Sequence, residues 1–290
     1  KLESILKILI EKKNITHSEL FNTFNFLYRN EIINNLEKQD SNYSKIEFLI
    51  NKTLIIQALR KIIFKDIELE KILKRLRRYL CNKVAKDRDN IDQKEFEFII
   101  VLGEQCFLNE YIYSITKEES LSIDLIKNRC LGNELNEKDV TILSCYFPLY
   151  KLLDQIPYLK SFNSNKKSLK GLINLQIIEP LKEIELSIRI KKLGPIKNII
   201  SKKVKLQYEE SPYPRWRYGN HSLKAKVSFS EEINTIIKPN SVGFNIKDRR
   251  LKVLVAGCGT GQHILNTQRY KNAQVIGIDL SLSSLAYAQR

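Results

Sequence analysis

The stretch from Leu251 to Asp279 constrains the fold of this chain most, because its residue order predicts a strand, a glycine loop, a helix and a second strand. The apolar run from Val253 to Ala256 lacks polar alternation, which is typical of a parallel strand buried on both faces. Three glycines then follow at alternate positions, 257, 259 and 261. Glycine permits positive φ and leaves room for a ligand against the backbone, so the pattern predicts a nucleotide-binding loop.

An acidic residue completes this pattern. The loop is followed by a predicted helix over Gln262–Arg269 and a predicted strand over Gln274–Ile278, which ends at Asp279. A carboxylate in this place can accept hydrogen bonds from both ribose hydroxyls. It lies 22 positions after Gly257, close to the roughly 20 that separate a dinucleotide fingerprint from its ribose acid. The spacing therefore predicts an adenosine-containing ligand.

The glycine spacing narrows the choice of ligand. Pyrophosphate cofactors favour G-x-G-x-x-G, whose third glycine lets the following helix pack closely. Here Gln262 occupies that position, and the last glycine falls one place earlier. The run Val-Leu-Val-Ala-Gly-Cys-Gly-Thr-Gly, followed by Gly-Ile-Asp, resembles the first motif and the ribose-binding acid of class I S-adenosylmethionine-dependent methyltransferases.

This resemblance implies a Rossmann-like α/β domain over 251–290, a bound S-adenosyl-L-methionine and a ribose contact from Asp279. The family often has an acid where Val255 stands, so the contact to the amino-acid end of the cofactor lacks its usual residue. The cofactor-binding residues that the resemblance implies are Ala256, Gly257, Cys258, Gly259, Thr260, Gly261, Gln262, Asp279 and Leu280.

A second segment, Gln207–Trp216, also carries a resemblance. Together with Phe107–Tyr111 it is similar to parts of bacterial proteins that join a tetratricopeptide-like helical region to a methyltransferase domain. Two prolines and the only tryptophan of the chain make the segment stiff and bulky. Its side chains Tyr213, Arg215 and Trp216 are expected either to cover the cofactor or touch the acceptor, or to pack one domain on the other.

Residues 1–210 are predicted to be helical throughout, with 211–250 as a proline- and aromatic-containing connector. Paired helices without strands permit degenerate helical repeats, although the sequence shows no clean period. Apolar spacing predicts long helices, and acids and prolines mark their ends. The predicted features are a core helix over Asp92–Tyr113, a capping box of Thr116 and Glu119, a helix over Glu137–Gln155 interrupted at Pro148, and a short helix capped by Ser230.

The densest basic stretch lies in a predicted helix between Asp66 and Arg88. Its cations either contact phosphates of a nucleic acid or form a solvated helix face. The second interpretation is favoured because Tyr79 is the only aromatic residue among them, too few for a base-stacking surface. The basic residues are Lys71, Lys74, Arg75, Arg77, Arg78 and Lys83.

Composition adds little to the choice of function. The net charge of +16 is compatible with a polyanionic partner, but lysine, isoleucine and asparagine are abundant throughout, as in proteomes drifting toward AT-rich codons. The five cysteines form no C-x-x-C pair or histidine cluster, which predicts neither zinc nor disulfides and favours a reducing cytoplasm. The apolar runs are too short for a membrane span, so no membrane partner is expected.

The leading hypothesis is methyl transfer from S-adenosylmethionine to an unknown acceptor. The acceptor is a protein, an RNA or a small molecule, and the helical region is expected to position this substrate or to bind a protein partner. Its alternatives are a helical interaction scaffold with a non-catalytic cofactor fold, and a nicotinamide-dependent oxidoreductase. His263 is the candidate general base.

The chain begins with Lys1 and stops at Arg290 within a predicted helix. We therefore expect a fragment whose catalytic residues lie beyond Arg290 and which is inactive and aggregation-prone by itself.

Overall fold

The computed structural model describes residues 1–38, 41–132, 135–219, 226–243, 251–267 and 269–290. The described chain is mostly helical and has two parallel strands in one sheet near its C-terminus. It divides into two compact units, one formed by 1–12 and 17–181, the other by 13–16 and 182–290. None of the described helices combines the length and apolar content that a membrane span requires.

The first unit is helical. Short 3-10 turns at His17–Leu20, Arg88–Asn90, Leu149–Leu152 and Pro157–Lys160 connect its longer helices. A π-helical turn, Asn174–Ile178, joins the last helix of this unit to α10, Glu179–Arg189, which continues into the second unit. The helices of the first unit are α1 Leu2–Glu11, α2 Phe21–Lys38, α3 Asn42–Ile50, α4 Thr53–Lys61, α5 Ile67–Lys86, α6 Gln93–Leu108, α7 Lys117–Arg129, α8 Glu137–Leu143 and α9 Lys167–Ile173.

Helix α6 is the core of this unit, as its sequence predicts. The five residues from Phe98 to Leu102 are all fully buried, and the helix packs against α3, α4, α5, α8 and α9. A helix that is apolar on every side is stable only when neighbours cover it completely. The prediction that it continues to Tyr113 is wrong: it ends at Leu108, because Glu110 and Tyr111 have φ of 57° and 58°, outside the helical region.

Side-chain caps fix where two of these helices begin. The predicted capping box is confirmed: Glu119 N donates to Thr116 Oγ1 at 3.2 Å, and Thr116 N donates to Glu119 Oε2 at 2.8 Å. Asp92 and Glu95 form the same reciprocal pair at the start of α6. Each box satisfies backbone N–H groups that the first helical turn leaves without partners.

The basic helix α5 departs from its prediction, most of all at Arg77. Arg77 does not lie on a solvated face; its side chain is only 1% exposed. Its Nη2 lies 3.1 Å from Glu119 Oε1, and its guanidinium carbon lies 4.2 Å from the ring centroid of Tyr146. Apolar periodicity could not reveal this, since the partner carboxylate lies 42 residues away. Arg77 is therefore inaccessible to a phosphate.

The predicted helix over Glu137–Gln155 is interrupted, as expected, but the interruption begins before Pro148 and no α-helix resumes between Pro148 and Gln155. Helix α8 ends at Leu143, and a separate 3-10 turn starts at Leu149. The break is stable because the buried amide of Gln176 donates to Gly103 O at 2.9 Å and Ser144 O at 3.0 Å, and accepts from Leu149 N at 3.3 Å. The bonds to Ser144 O and Leu149 N replace those that a continuous helix would make.

The second unit contains the end of α10 and the predicted strand, loop, helix and strand. Its short helix α12 is capped by Ser228 rather than by Ser230, and Ser228 forms a capping box with Glu231. The connector predicted over 211–250 is described only at 211–219 and 226–243. The further elements of this unit are α11 Ile199–Glu210, α12 Phe229–Ile236, β1 Leu251–Ala256, α13 Gln262–Thr267, β2 Ala273–Ile278 and α14 Leu282–Gln289.

Strands β1 and β2 pair in parallel, from Leu251 opposite Ala273 to Ala256 opposite Ile278. In this register Leu254 faces Ile276, and both side chains are exposed, at 62% and 53%. The prediction that the Val253–Ala256 strand is buried on both faces is wrong, because the described elements cover only the opposite face of the sheet. An apolar run of this kind predicts a parallel strand, but whether both faces are covered depends on the neighbouring elements.

Candidate functional site

The candidate site lies at the carboxyl ends of β1 and β2, where parallel sheets commonly bind ligands. Residues 257–261 leave β1 as a tight loop before α13. All three glycines have positive φ: 66° at Gly257, 52° at Gly259 and 87° at Gly261. Residues with a Cβ rarely adopt these angles, so the alternating glycines are needed for the path of the backbone.

The surroundings of the three glycines differ. A Cβ added to Gly257 or Gly259 would have no atom of the described residues within 4 Å, whereas one added to Gly261 would lie 2.6 Å from Ala288 Cβ. Gly261 therefore lets α14 pack against the loop. Gly257 and Gly259 border open space, which a ligand can occupy in contact with the backbone.

Asp279 is held against this loop. Its Oδ2 accepts a hydrogen bond from Gly259 N at 2.8 Å, and its Oδ1 accepts one from Ser281 N at 2.9 Å. A carboxylate has about four lone-pair positions, so each oxygen can accept one further hydrogen bond. The structure thus brings together the glycine loop and the acid whose spacing the sequence identified.

The side chains of the other loop residues point mainly into the protein. Cys258 and Thr260 are 5% and 2% exposed. Burial, reinforced by the nearby charge of Asp279, raises the pKa of the Cys258 thiol, so the thiol stays protonated and unreactive at neutral pH. Thr260 Oγ1 donates to Pro214 O at 2.9 Å. These two residues can therefore meet a ligand through their backbone rather than through their side chains.

The remaining predicted residues lie around the loop at different depths. Ala256, at the end of β1, is exposed, and so is Leu280, at 40%. Gln262 is half-buried at the start of α13, and the candidate base His263 is exposed beside it. Among the described residues no group of three or more His, Cys, Asp or Glu side chains is arranged to hold a metal ion.

The aromatic segment contacts the loop directly. The indole N–H of Trp216 donates to Thr260 O at 3.0 Å, and the Trp216 ring packs edge-on against Tyr287 of α14, with 6.0 Å between ring centroids. Tyr287 OH also donates to Trp216 O. Arg215 is buried and Tyr213 is 51% exposed. Of the three predicted side chains, Trp216 holds the loop by a hydrogen bond, and Tyr213 is the most exposed to solvent.

Sequence reasoning missed Glu209. Its Oε1 accepts from Leu282 N at 2.8 Å, and its Oε2 accepts from Ser283 N at 3.1 Å and Ser283 Oγ at 2.7 Å. Burial raises the pKa of Glu209, but the bonds from Ser283 and Leu282 outweigh it and hold the net pKa below its ordinary value. The sequence does show an acidic residue within the Gln207–Trp216 segment. Its role was not visible there, because the helix that it caps lies more than 70 residues away along the chain.

Comparison of the chain with models of protein families, with curated proteins and with solved structures found no match.

Proposed function

We propose that residues 251–290 belong to a Rossmann-like fold that binds S-adenosyl-L-methionine, and that the protein takes part in methyl transfer. The observation that carries the proposal is the hydrogen bond of 2.8 Å between Gly259 N and Asp279 Oδ2. It places the acid beside a loop with three positive-φ glycines, at the end of two parallel strands. A Rossmann-type site for an adenosine-containing ligand combines these two features.

The residues present fit this cofactor. The space beside Gly257 and Gly259 admits a ligand against the backbone, and both oxygens of Asp279 retain acceptor capacity for the ribose hydroxyls. Gln262, where a dinucleotide fingerprint has glycine, favours a cofactor without pyrophosphate. When bound, S-adenosylmethionine supplies a methyl group activated by a sulfonium.

The roles of the chain's own residues follow from their positions. Gly257 and Gly259 provide close approach, Asp279 orients the ribose, and Gln262 offers a polar amide at the rim of the loop. Tyr213, exposed on the aromatic segment, is available to the cofactor or the acceptor. Methyl transfer depends largely on aligning the acceptor with the activated methyl group, and a base such as His263 is needed only for a weakly acidic acceptor. The acceptor is a protein, an RNA or a small molecule.

The test is calorimetric titration of the chain with S-adenosylmethionine and, in parallel, with NAD. We expect micromolar binding of the first alone. Asp279→Asn keeps the size of the side chain but removes its charge, and it should weaken binding by about tenfold or more, since hydrogen bonds to charged groups contribute about 1.5–3 kcal/mol. Glu210→Gln is the matched control, because Glu210 is an exposed carboxylate of the same unit, and it should bind as the wild type does.

The outcomes separate the candidate functions. Tighter binding of NAD would replace the methyltransferase proposal with a nicotinamide-dependent oxidoreductase. Binding of neither ligand by a folded chain would overturn the proposal and leave the helical unit as a partner-binding scaffold. Circular dichroism of Asp279→Asn must show an unchanged fold, because Asp279 also holds two backbone N–H groups of the loop and turn.

A further inference from the structure

The two halves of the candidate site, the glycine loop and the turn after Asp279, are both held by one segment of the second unit, Tyr208–Trp216. At the loop, two hydrogen bonds run in opposite directions. Trp216 Nε1 donates to Thr260 O at 3.0 Å, and Thr260 Oγ1 donates to Pro214 O at 2.9 Å. Thr260 is 2% exposed, so its polar groups depend on these bonds rather than on water.

The other end of the segment holds the turn after Asp279. Ser281 Oγ donates to Tyr208 O at 3.0 Å, while the carboxylate of Glu209 accepts from Leu282 N and Ser283 N. A carboxylate at this place satisfies N–H groups of the first turn of α14 and complements the helix dipole. Ser281, whose N–H donates to Asp279 Oδ1, is thereby fixed from its other side.

We propose that Glu209 and Trp216 are positioning residues that set the distance between the glycine loop and Asp279, and so preorganise the cofactor site. The proposal rests on the proposed function for its consequence in binding, but the positioning itself is a property of the ligand-free chain. Neither side chain needs to touch the cofactor. Trp216 acts through the carbonyl of Thr260, and Glu209 acts through the backbone of Leu282 and Ser283.

The test uses two mild variants in the whole chain. Glu209→Gln keeps an acceptor but removes the charge, and Trp216→Phe keeps an aromatic ring against Tyr287 but removes the N–H donor. Glu210→Gln is the control for the first, since it lies next to Glu209 in sequence and is exposed. Tyr208→Phe, at a 38% exposed position of the same segment, is the control for the second, since Tyr208 holds Ser281 through its backbone carbonyl and the substitution leaves that carbonyl in place.

The first readout is amide hydrogen exchange across 257–261, measured without ligand. The Gly259 amide is bonded to Asp279, and its exchange rate reports how often the loop opens. It should exchange about fivefold to tenfold faster in Glu209→Gln, because the loop loses the free energy of roughly one hydrogen bond. Trp216→Phe should act similarly, and both controls should match the wild type. Wild-type exchange in Glu209→Gln and Trp216→Phe alike would overturn the proposal, whatever the chain binds.

The second readout is the affinity for S-adenosylmethionine, which both variants should weaken by about fivefold to tenfold without a comparable loss of folded helix. If the wild type bound no S-adenosylmethionine while Glu209→Gln still loosened the loop, the proposed function would fail and the positioning would stand. If the variants loosened the loop but bound the cofactor at wild-type affinity, preorganisation of the site would be refuted.

Discussion

Replacing Gly261 with alanine tests the described loop most directly, because two independent costs meet at this position. Its φ of 87° costs a residue with a Cβ about 1–2 kcal/mol. The new Cβ would also lie 2.6 Å from Ala288 Cβ and 3.2 Å from Ala288 Cα, and such overpacking costs about 1–3 kcal/mol. The expected loss is therefore about 2–5 kcal/mol, a large share of the roughly 5–15 kcal/mol that stabilises a typical domain.

Two matched substitutions separate these costs. Gly259→Ala meets no described atom within 4 Å, so only its φ of 52° should count, for about 1–2 kcal/mol. Gly243→Ala has open space and no positive φ. It should be neutral or slightly stabilising, because alanine lowers the entropy of the unfolded chain by about 0.4–1 kcal/mol.

The assay is urea unfolding followed by the fluorescence of Trp216. This is the only tryptophan of the chain, and its indole is bonded to the loop. With slopes of about 1–3 kcal/mol per M urea, the midpoint of Gly261→Ala should fall about 1 M below that of Gly259→Ala. Equal midpoints for the two variants would refute the packing of Ala288 on the loop. A wild-type midpoint for both would refute the positive-φ backbone.

Three further predictions concern the first unit and are measured by far-ultraviolet circular dichroism during urea unfolding. Arg77→Met should destabilise the unit by about 3–5 kcal/mol, because the buried carboxylate of Glu119 loses its buried cation and keeps only Arg78, whose Nε lies 3.8 Å away. Gln176→Leu should cost about 3 kcal/mol, because three buried backbone groups lose their partner. Burial, with the charge of Lys61, lowers the pKa of His17 from its ordinary 6.5 to about 4. Between these two pH values His17 is protonated in the unfolded state but neutral in the folded state. The folded state is therefore most stable above pH 6.5, and it loses up to about 3 kcal/mol of stability as the pH falls to 4.

Each of these predictions has a control that exposes an error in the reasoning. Arg77→Met combined with Glu119→Gln should be less destabilised than Arg77→Met alone, and an equal loss would show that charge pairing is not the cause. Gln155→Leu, at an exposed site of the same unit, should change stability by less than about 0.5 kcal/mol. His17→Asn should flatten the dependence of stability on pH between 6.5 and 4, and an unchanged slope would assign it to other groups.

The features that the sequence predicted correctly are local ones. The order of β1, loop, α13, β2 and α14 follows from an apolar run, alternating glycines and an acid within about thirty residues of one another. The capping box of Thr116 and Glu119 spans three positions, and α6 is recognisable because nearly every turn is apolar. In these cases the residues that decide the structure are neighbours along the chain, so their spacing is visible in the sequence.

The tertiary structure alone decided the features whose partners are distant in sequence. Arg77 lies 42 positions from Glu119, Trp216 lies 44 from Thr260, and Glu209 lies 73 from Leu282. The exposure of Leu254 and Ile276 likewise depends on which elements cover the sheet, since the same apolar run suits a strand with one or two buried faces. Apolar periodicity and capping preferences report the environment of a residue within a few turns of its own helix or strand. They carry no information on which buried charge or carbonyl group a side chain contacts in the folded chain. Those long-range contacts formed both the buried ion pair and the hydrogen bonds that hold the glycine loop.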